Sequence, residues 1–129
     1  MDGFITNILE DTLNNTNFRK VLHTGPNAQL VVMSLKPGED IGEEVHTKVD
    51  QFIRIEKGEG LAVLNGVKTP IKDDSIVYIN AGTLHNIINT STTNELKLYT
   101  VYSPANHPKG TVHVTKEEAE AAEKSEHSD

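Results

Sequence analysis

The stretch that decides the fold is GEDIGEEVHTKVDQFIRIEKG, which runs from Gly38 to Gly58. A second informative stretch, DSIVYINAGTLHNIIN, runs from Asp74 to Asn89. Both contain short runs that alternate apolar and polar residues, a pattern typical of β-strands with one buried face. Side chains of the kind that bind metals occur on these predicted strands, at Glu44, His46, Gln51 and His85. Two imidazoles, a carboxylate and an amide oxygen can fill most of the shell of a divalent cation.

Short strand-like runs separated by turns continue through most of the chain. Pro37-Gly38 indicates a turn, and Asn65-Gly66 is a strong signal for a two-residue hairpin. The predicted strands cover residues 28–36, 41–47, 51–57, 61–65, 68–72, 75–79, 83–89 and 95–102. About eight or nine short strands at such spacing predict a sandwich or barrel instead of alternating β/α units.

A chain of 129 residues has room for one domain with a single core. We expect an N-terminal arm over residues 1–17, a β-barrel over 18–114 and an acidic C-terminal helix or tail over 115–129. Thr115 and Glu118 have the spacing of a capping box, and the alanines that follow favour a helix. Because this helix carries no apolar stripe, we expect it to be solvated.

The composition excludes several classes of function. The net charge of −7 argues against nucleic acid, because phosphate binding relies on clustered Lys and Arg. No run approaches the ~20 apolar residues that would span a membrane, and the N-terminal residues lack the features of a secretory signal. There is no cysteine, which removes disulfides and thiolate ligands. That absence is compatible with a reducing cytoplasm, where we expect the protein to reside.

Strand alternation indicates which polar side chains face the interior. Glu44 and His46 share one face of their predicted strand, roughly 7 Å apart. Gln51 lies on the aliphatic face of the next strand, so it points inward, and Asp50 points outward unless a bulge shifts the register. The same alternation places His85 inside. Arg54 falls on the outer face, where it is a candidate for a subunit contact.

An inward carboxylate among aliphatic side chains is costly unless a cation or hydrogen bonds compensate its charge. A metal is the simplest compensation. The donor set suits Zn²⁺, Mn²⁺, Fe²⁺, Co²⁺ or Ni²⁺, and the positive charge left at the site would attract a small polar or anionic molecule. The alternative is that Glu44 and His46 form a surface pair and that His85 is a satisfied core histidine.

Two further histidines, His107 and His113, precede the C-terminal segment. Either could reach the mouth of a barrel as a proton donor, although exposed loop histidines are common. No side chain is identified as catalytic from the sequence.

These residues resemble the two motifs of a single-domain cupin. The first motif matches the family's spacing at Gly38, Glu44, His46, Gln51 and Gly58, and the second at Asp74, Asn80, Gly82, His85 and Asn89. Glu44 stands where the first histidine is usual, and Gln51 stands where the glutamate is usual. Asp74 and Asn80 replace a glycine and a proline, which affects turn geometry more than chemistry.

The resemblance implies an all-β jelly-roll barrel (a double-stranded β-helix) with a short C-terminal helix. It also implies one divalent transition metal on Glu44, His46, Gln51 and His85, and a homodimer, because cupins usually pair. An open sandwich leaves strand edges to cover, and Phe52 on the outer face is a plausible contact for a second copy.

The donor set resembles the zinc site of the phosphomannose isomerase branch of cupins. The stretch from Asp50 to Gly60 and the pair His85-Asn86 also resemble small proteins grouped as mannose-6-phosphate-isomerase-like. The first expected function is therefore metal-dependent isomerisation or epimerisation of a small sugar or sugar phosphate. Two alternatives stay open: a non-catalytic cupin that binds a metal or small ligand, and an iron-dependent dioxygenase or lyase. On the motif strands, the sequence predicts no other inward carboxylate that could act as a base. It also predicts no inward Lys or Arg that could bind a phosphate. Both points weigh against the isomerase.

Overall fold

The computed structural model describes residues 2–126, which form two facing β-sheets and two short helices. The helices are α1 (Ile8–Asn14) and α2 (Lys116–Glu126). The strands are β1 (Arg19–Thr24), β2 (Gln29–Leu35), β3 (Asp50–Lys57), β4 (Glu59–Leu64), β5 (Val67–Lys72), β6 (Ile76–Ile79), β7 (His85–Asn89), β8 (Leu96–Ser103) and β9 (Val112–His113).

The larger sheet has the strand order β6-β3-β8-β2-β1-β9, and the smaller one has the order β5-β4-β7. The pairings between the named strands are antiparallel. The predicted hairpin is confirmed, since Asn65 and Gly66 have φ values of 48° and 83° between β4 and β5. The architecture confirms the all-β jelly-roll prediction, including the C-terminal helix.

The core lies between the inner faces of the two sheets and is almost entirely aliphatic. On β3, Ile53 and Ile55 are fully buried, while Phe52 and Arg54 face outward and are half-buried. A fully buried Leu or Ile contributes about 1.5–3 kcal/mol to folding, so this face is strongly specified. A shift of one residue would turn it to solvent, which fixes the register of β3.

The prediction of a continuous strand over residues 41–47 is wrong. Two isolated antiparallel bridges join this segment to β7, between Asp40 and Ile88 and between Glu44 and His85. Four steps along this segment therefore correspond to three steps along β7. One extra residue is inserted, which is the definition of a β-bulge.

Gly42 lies within this bulge, with φ +109°. Its N–H donates a hydrogen bond to the Asn86 side-chain oxygen at 2.9 Å. Because the bulge adds one residue, Asp40 and Glu44 face opposite sides although four positions separate them. Glu44 consequently enters the sandwich beside His85. A left-handed backbone is readily adopted here because the residue is glycine.

The N-terminal arm contains helix α1, which the sequence analysis did not predict. The Asn7 side chain caps it by accepting a hydrogen bond from the Glu10 N–H at 3.0 Å. Thr12 is fully buried as α1 packs against β2, β3 and β8. The buried Lys97 ammonium donates to the Asn15 carbonyl at 2.6 Å and fixes the end of the helix. The spacing from Asn7 to Glu10 resembles a capping box and was the available signal.

Helix α2 is confirmed, with the Glu118 N–H donating to Thr115 Oγ1 at 3.2 Å. The expectation that it is solvated holds for most of its described side chains but not for the face that carries Ala119. Ala119 is 2% exposed and packs into the hydrophobic core. A helix with few apolar residues can still dock when a small side chain lets its backbone approach closely.

Two ion pairs attach α2 to different parts of the sandwich. Lys116 donates a hydrogen bond to Asp40, which lies beside β7, and Glu123 lies 3.8 Å from Arg19 on β1. Helix α2 therefore spans from one sheet to the other. None of the helices within residues 2–126 is long and apolar enough to cross a membrane.

The close contact between β4 and β7 predicts the effect of one substitution. A Cβ atom on Gly60 would lie 2.3 Å from the Ile88 carbonyl oxygen, so Gly60→Ala must push the strand carrying His85 away. We expect the free energy of unfolding in urea to fall by about 1–3 kcal/mol. Gly3→Ala, which meets open space, is the control and should stay within about 0.5 kcal/mol of the wild type. Equal midpoints for the two variants would contradict this account.

Candidate functional site

The predicted donor residues come together on the inner faces, at one end of the sandwich. His46 Nε2 lies 3.4 Å from Glu44 Oε2, and the ring centroids of His46 and His85 are 5.3 Å apart. The Tyr102 ring meets His46 edge-on at 6.1 Å, and Gln51 pairs directly with Tyr102 across β3 and β8. Gln51 and His85 are only 3% and 5% exposed. Residues from distant parts of the sequence thus share one interior region.

Strand alternation chose correctly between Asp50 and Gln51. The Asp50 carboxylate faces outward, where it accepts hydrogen bonds from the Ala81 N–H at 2.9 Å and the Tyr78 hydroxyl at 2.8 Å. These two donors hold the pKa of Asp50 below its usual value. Asp50 is therefore a turn-stabilising residue on the outside of the sandwich.

The Gln51 amide is incompletely hydrogen-bonded. Its Nε2 donates to the Thr100 hydroxyl at 3.1 Å, but its Oε1 is buried and has no partner. Buried polar atoms without partners are uncommon in folded proteins, and each one needs a physical explanation. The amide nitrogen fixes the direction of the side chain, so the oxygen is held in place as an available acceptor or ligand.

A hydrogen bond to the backbone orients the His85 ring. Its Nδ1 lies 3.0 Å from the Thr83 carbonyl oxygen. A carbonyl can only accept, so we assign the proton to Nδ1. This tautomer leaves Nε2 with a free lone pair, and a backbone carbonyl behind the ring is the usual support for a metal-binding histidine.

Burial controls the electrostatics of the Glu44 and His46 pair. Desolvation, together with the Glu123 charge, raises the pKa of Glu44 to about 7, although Arg19 opposes the rise. Burial also lowers the pKa of His46, and the charges of His85 and Arg19 lower it further. Both shifts disfavour the charged form of the side chain. A nearby cation would reverse the shift at Glu44.

The four residues are not assembled into a closed ligand shell. Within residues 2–126, no group of three or more His, Cys, Asp or Glu side chains is close enough to hold a metal ion. The chemistry of the donors nevertheless fits a divalent cation, since an unpartnered amide oxygen, a free imidazole nitrogen and a carboxylate face the same region. The metal therefore stays a prediction at this stage.

Tyr102 and His107 also lie in this region. Their rings are in edge contact at 5.1 Å, and both are buried. Burial raises the pKa of Tyr102 to about 12. Burial, with the charge of Arg19, lowers the pKa of His107 to about 3. His107 thus reaches the interior, as one of the open alternatives allowed, but it is neutral at physiological pH and is a poor proton donor.

Arg19 is the residue that the sequence analysis missed. It lies on β1, faces inward opposite Met33, and is 1% exposed. Its Nη1 lies 3.3 Å from Nδ1 of His113, which brings the second of the two loop histidines to the edge of the site. Arg19 shares a strand face with the buried Val21, and that alternation was the available signal.

A broad surface depression lies elsewhere and contains none of the predicted donors. Its lining includes Lys57, Lys72 and Lys97, together with several carboxylates. Lys57 and Gln51 are six residues apart on β3, which places the depression about 20 Å from the donors. The chemistry-bearing side chains are therefore inside the sandwich and not in this surface depression.

Comparison with known proteins decides the family. The family model of the cupin domain matches residues 31–102, which is more than half of the chain. The chain belongs to the cupin family. The resemblance proposed from the two motifs is thus confirmed at the level of the family.

Two similar proteins and one similar crystal structure have names that state no activity. The uncharacterized protein YrkC of Bacillus subtilis is 49% identical over 93% of this chain and 67% of its own length. The uncharacterized protein L612 of Acanthamoeba polyphaga mimivirus is 48% identical over 86% of this chain and 71% of its own length. The crystal structure of BH2720 from Bacillus halodurans superposes with a TM-score of 0.89 and 44% identity, covering 92% and 93% of the two chains. The mannose-6-phosphate-isomerase-like grouping stays a prediction.

Substitutions of two buried side-chain amides, Asn89 and Gln51, test whether Gln51 contributes to the stability of the fold. Asn89 is fully satisfied, donating to the carbonyls of Leu35, Lys36 and Asn94 and accepting from the Ser91 N–H. We expect Asn89→Leu to cost at least about 2 kcal/mol, because each abandoned buried partner costs about 1–3 kcal/mol. Gln51→Met removes an orphan oxygen, so chelator-treated protein should stay within about 1 kcal/mol of the wild type.

Thermal and urea unfolding of both variants measure this difference. A loss of stability in Gln51→Met as large as that in Asn89→Leu would show that Gln51 is a structural residue.

Proposed function

We propose that the protein is a metal-binding cupin whose metal is held by Glu44, His46, Gln51 and His85. The observation that carries this proposal is the buried Gln51 oxygen, which has no hydrogen-bond partner. An unsatisfied buried oxygen is destabilising, and a cation would remove the penalty. The proposed cofactor is one divalent transition metal, Zn²⁺, Mn²⁺, Fe²⁺, Ni²⁺ or Co²⁺, because two nitrogen and two oxygen donors with no sulfur suit these ions.

The surrounding residues would orient the donors. Thr83 holds the His85 ring through Nδ1, and Thr100 holds the Gln51 amide through Nε2. A metal bound there would act as a Lewis acid on an oxygen atom of a small polar or anionic molecule. His46 and Glu44 enter from the bulged segment, so that segment would adjust when the shell closes.

The first candidate reaction is isomerisation or epimerisation of a small sugar or sugar phosphate. It requires a side chain that moves a proton next to a carbonyl. The candidates for this role are Tyr102, which meets the His46 ring edge-on, and His107, which meets the Tyr102 ring edge-on.

A specific observation favours the second candidate, a cupin that binds a metal and a small ligand without turnover. The pKa of Tyr102 is about 12 and that of His107 is about 3, so neither group exchanges a proton readily near neutral pH.

Incubation of metal-loaded protein with aldose and ketose sugar phosphates distinguishes the isomerase from the binding module. Turnover supports the isomerase, and its absence at full metal occupancy supports the binding module. Retained iron with oxygen uptake would instead support the oxygenase or lyase alternative.

Metal content tests the site itself. We expect about one equivalent of metal in the wild type after purification or reloading, measured by elemental analysis. His85→Ala and His46→Ala should lose stoichiometric metal, because even the outer partners of metal ligands are worth about 10–100-fold in affinity. His23→Ala is the matched control, since His23 stacks on Phe4 outside the site and should leave the metal bound. Equal trace metal in all four proteins would refute the site.

We further propose a cytoplasmic homodimer that pairs through the outer face of β3 and β6. Phe52 and Tyr78 are paired there, and Ile76 and Tyr78 are exposed. Contiguous exposed apolar side chains of this kind mark association surfaces. We expect Phe52→Glu to give a monomer in analytical ultracentrifugation, whereas Val67→Glu, on the exposed β5, should keep the dimer. A monomeric wild type would disprove the pairing.

A further inference from the structure

Arg19 is the charged group that the proposed metal site leaves unexplained. Its side chain is 1% exposed, and its Nε is buried without a hydrogen-bond partner. Nη1 lies 3.8 Å from Glu123 Oε1, which is an ion-pair distance but too long for a hydrogen bond. A buried guanidinium is costly unless charge and hydrogen bonds satisfy it. In this conformation Arg19 is neutralised only partly.

The guanidinium is close to the predicted donors. A side-chain hydrogen bond joins Arg19 to Tyr102. The Tyr102 ring in turn lies edge-on to His46 at 6.1 Å and to His107 at 5.1 Å. Arg19 therefore reaches the same cluster of rings as the predicted ligand His46. Two of the three unpartnered buried side-chain atoms in the described part of the chain, Arg19 Nε and Gln51 Oε1, belong to side chains on the inner face of the larger sheet.

Glu123 is a weak partner for Arg19. Its side chain is 35% exposed, so water competes for the carboxylate. It comes from α2, which is attached to the rest of the chain through Ala119 and through the Lys116–Asp40 pair. The Glu123 side chain can therefore leave Arg19 without breaking either of these attachments.

We propose that Arg19 binds the carboxylate of a small organic acid, and that Glu123 takes the place of this carboxylate in the ligand-free chain. The proposal rests on the proposed function, because the other end of the acid would lie toward the metal donors. A guanidinium presents a planar fork of N–H groups that matches a carboxylate. Glu123 Oε1, which lies 3.8 Å from Arg19 Nη1, is a single carboxylate facing the guanidinium. A position that one carboxylate fills favours another singly charged group over a phosphate dianion.

Malonate binding, followed by calorimetry, tests the proposal on metal-loaded and on chelator-treated protein. We expect Arg19→Gln to weaken malonate binding at least tenfold, and Arg19→Lys to weaken it as well, because a point charge replaces the fork. Glu123→Gln should tighten binding about three- to tenfold, since the internal competitor loses its charge. Glu117→Gln is the matched control, because this exposed glutamate on the same helix makes the same change in charge away from Arg19.

Several outcomes would overturn the proposal. The first is an unchanged malonate affinity in Arg19→Gln that retains its metal. The second is an equal effect of Glu123→Gln and Glu117→Gln on malonate affinity. The third is that neither the wild type nor Glu123→Gln binds malonate. Inorganic phosphate that binds more tightly than malonate would overturn the carboxylate assignment. If the Arg19 variants fail to fold, the two glutamate variants still decide. If no form of the protein binds metal but malonate affinity still depends on Arg19, the proposed metal-binding function is refuted and the carboxylate site at Arg19 stands.

Discussion

The backbone pair between Glu44 and His85 is the contact on which the site depends. Each residue donates its N–H to the carbonyl of the other at 2.9 Å. Directly opposed residues in an antiparallel pair project to the same face, so this pair brings a carboxylate beside an imidazole. The bulge at Gly42 is what sets the register, and without its extra residue Glu44 would face solvent. One glycine in a left-handed conformation thus controls the composition of the interior.

The two ends of the interior differ in how completely their buried polar side chains are hydrogen-bonded. Near Leu35, both polar atoms of the Asn89 side-chain amide have hydrogen-bond partners. Toward the other end, the Gln51 oxygen and the Arg19 Nε have none. Folding alone favours satisfied groups, so the two orphan atoms indicate a region whose arrangement is adapted to something other than stability.

Helix α2 links the sheets through very few contacts. One buried alanine and ion pairs from Lys116 and Glu123 attach it, and the ion pairs are partly exposed. Segments held by little apolar area open more easily than the core strands beside them. Glu123 therefore faces the polar interior through a partly exposed ion pair with Arg19, whereas Ala119 keeps the helix docked. Charge on this helix reaches the site directly, since Glu123 contributes to the raised pKa of Glu44.

The sequence by itself determined most of the strands, the hairpin at Asn65-Gly66, the family, and the choice of Gln51 over Asp50. All of these follow from local periodicity and turn chemistry, which neighbouring residues carry. Only the tertiary structure decided the bulge at Gly42, the docking of α2 and the inward placement of Arg19 and His107. Each of those depends on a partner far along the chain, and packing against that partner outweighs the local preference. The periodicity of a strand states which residues share a face, but the opposing elements decide what that face meets.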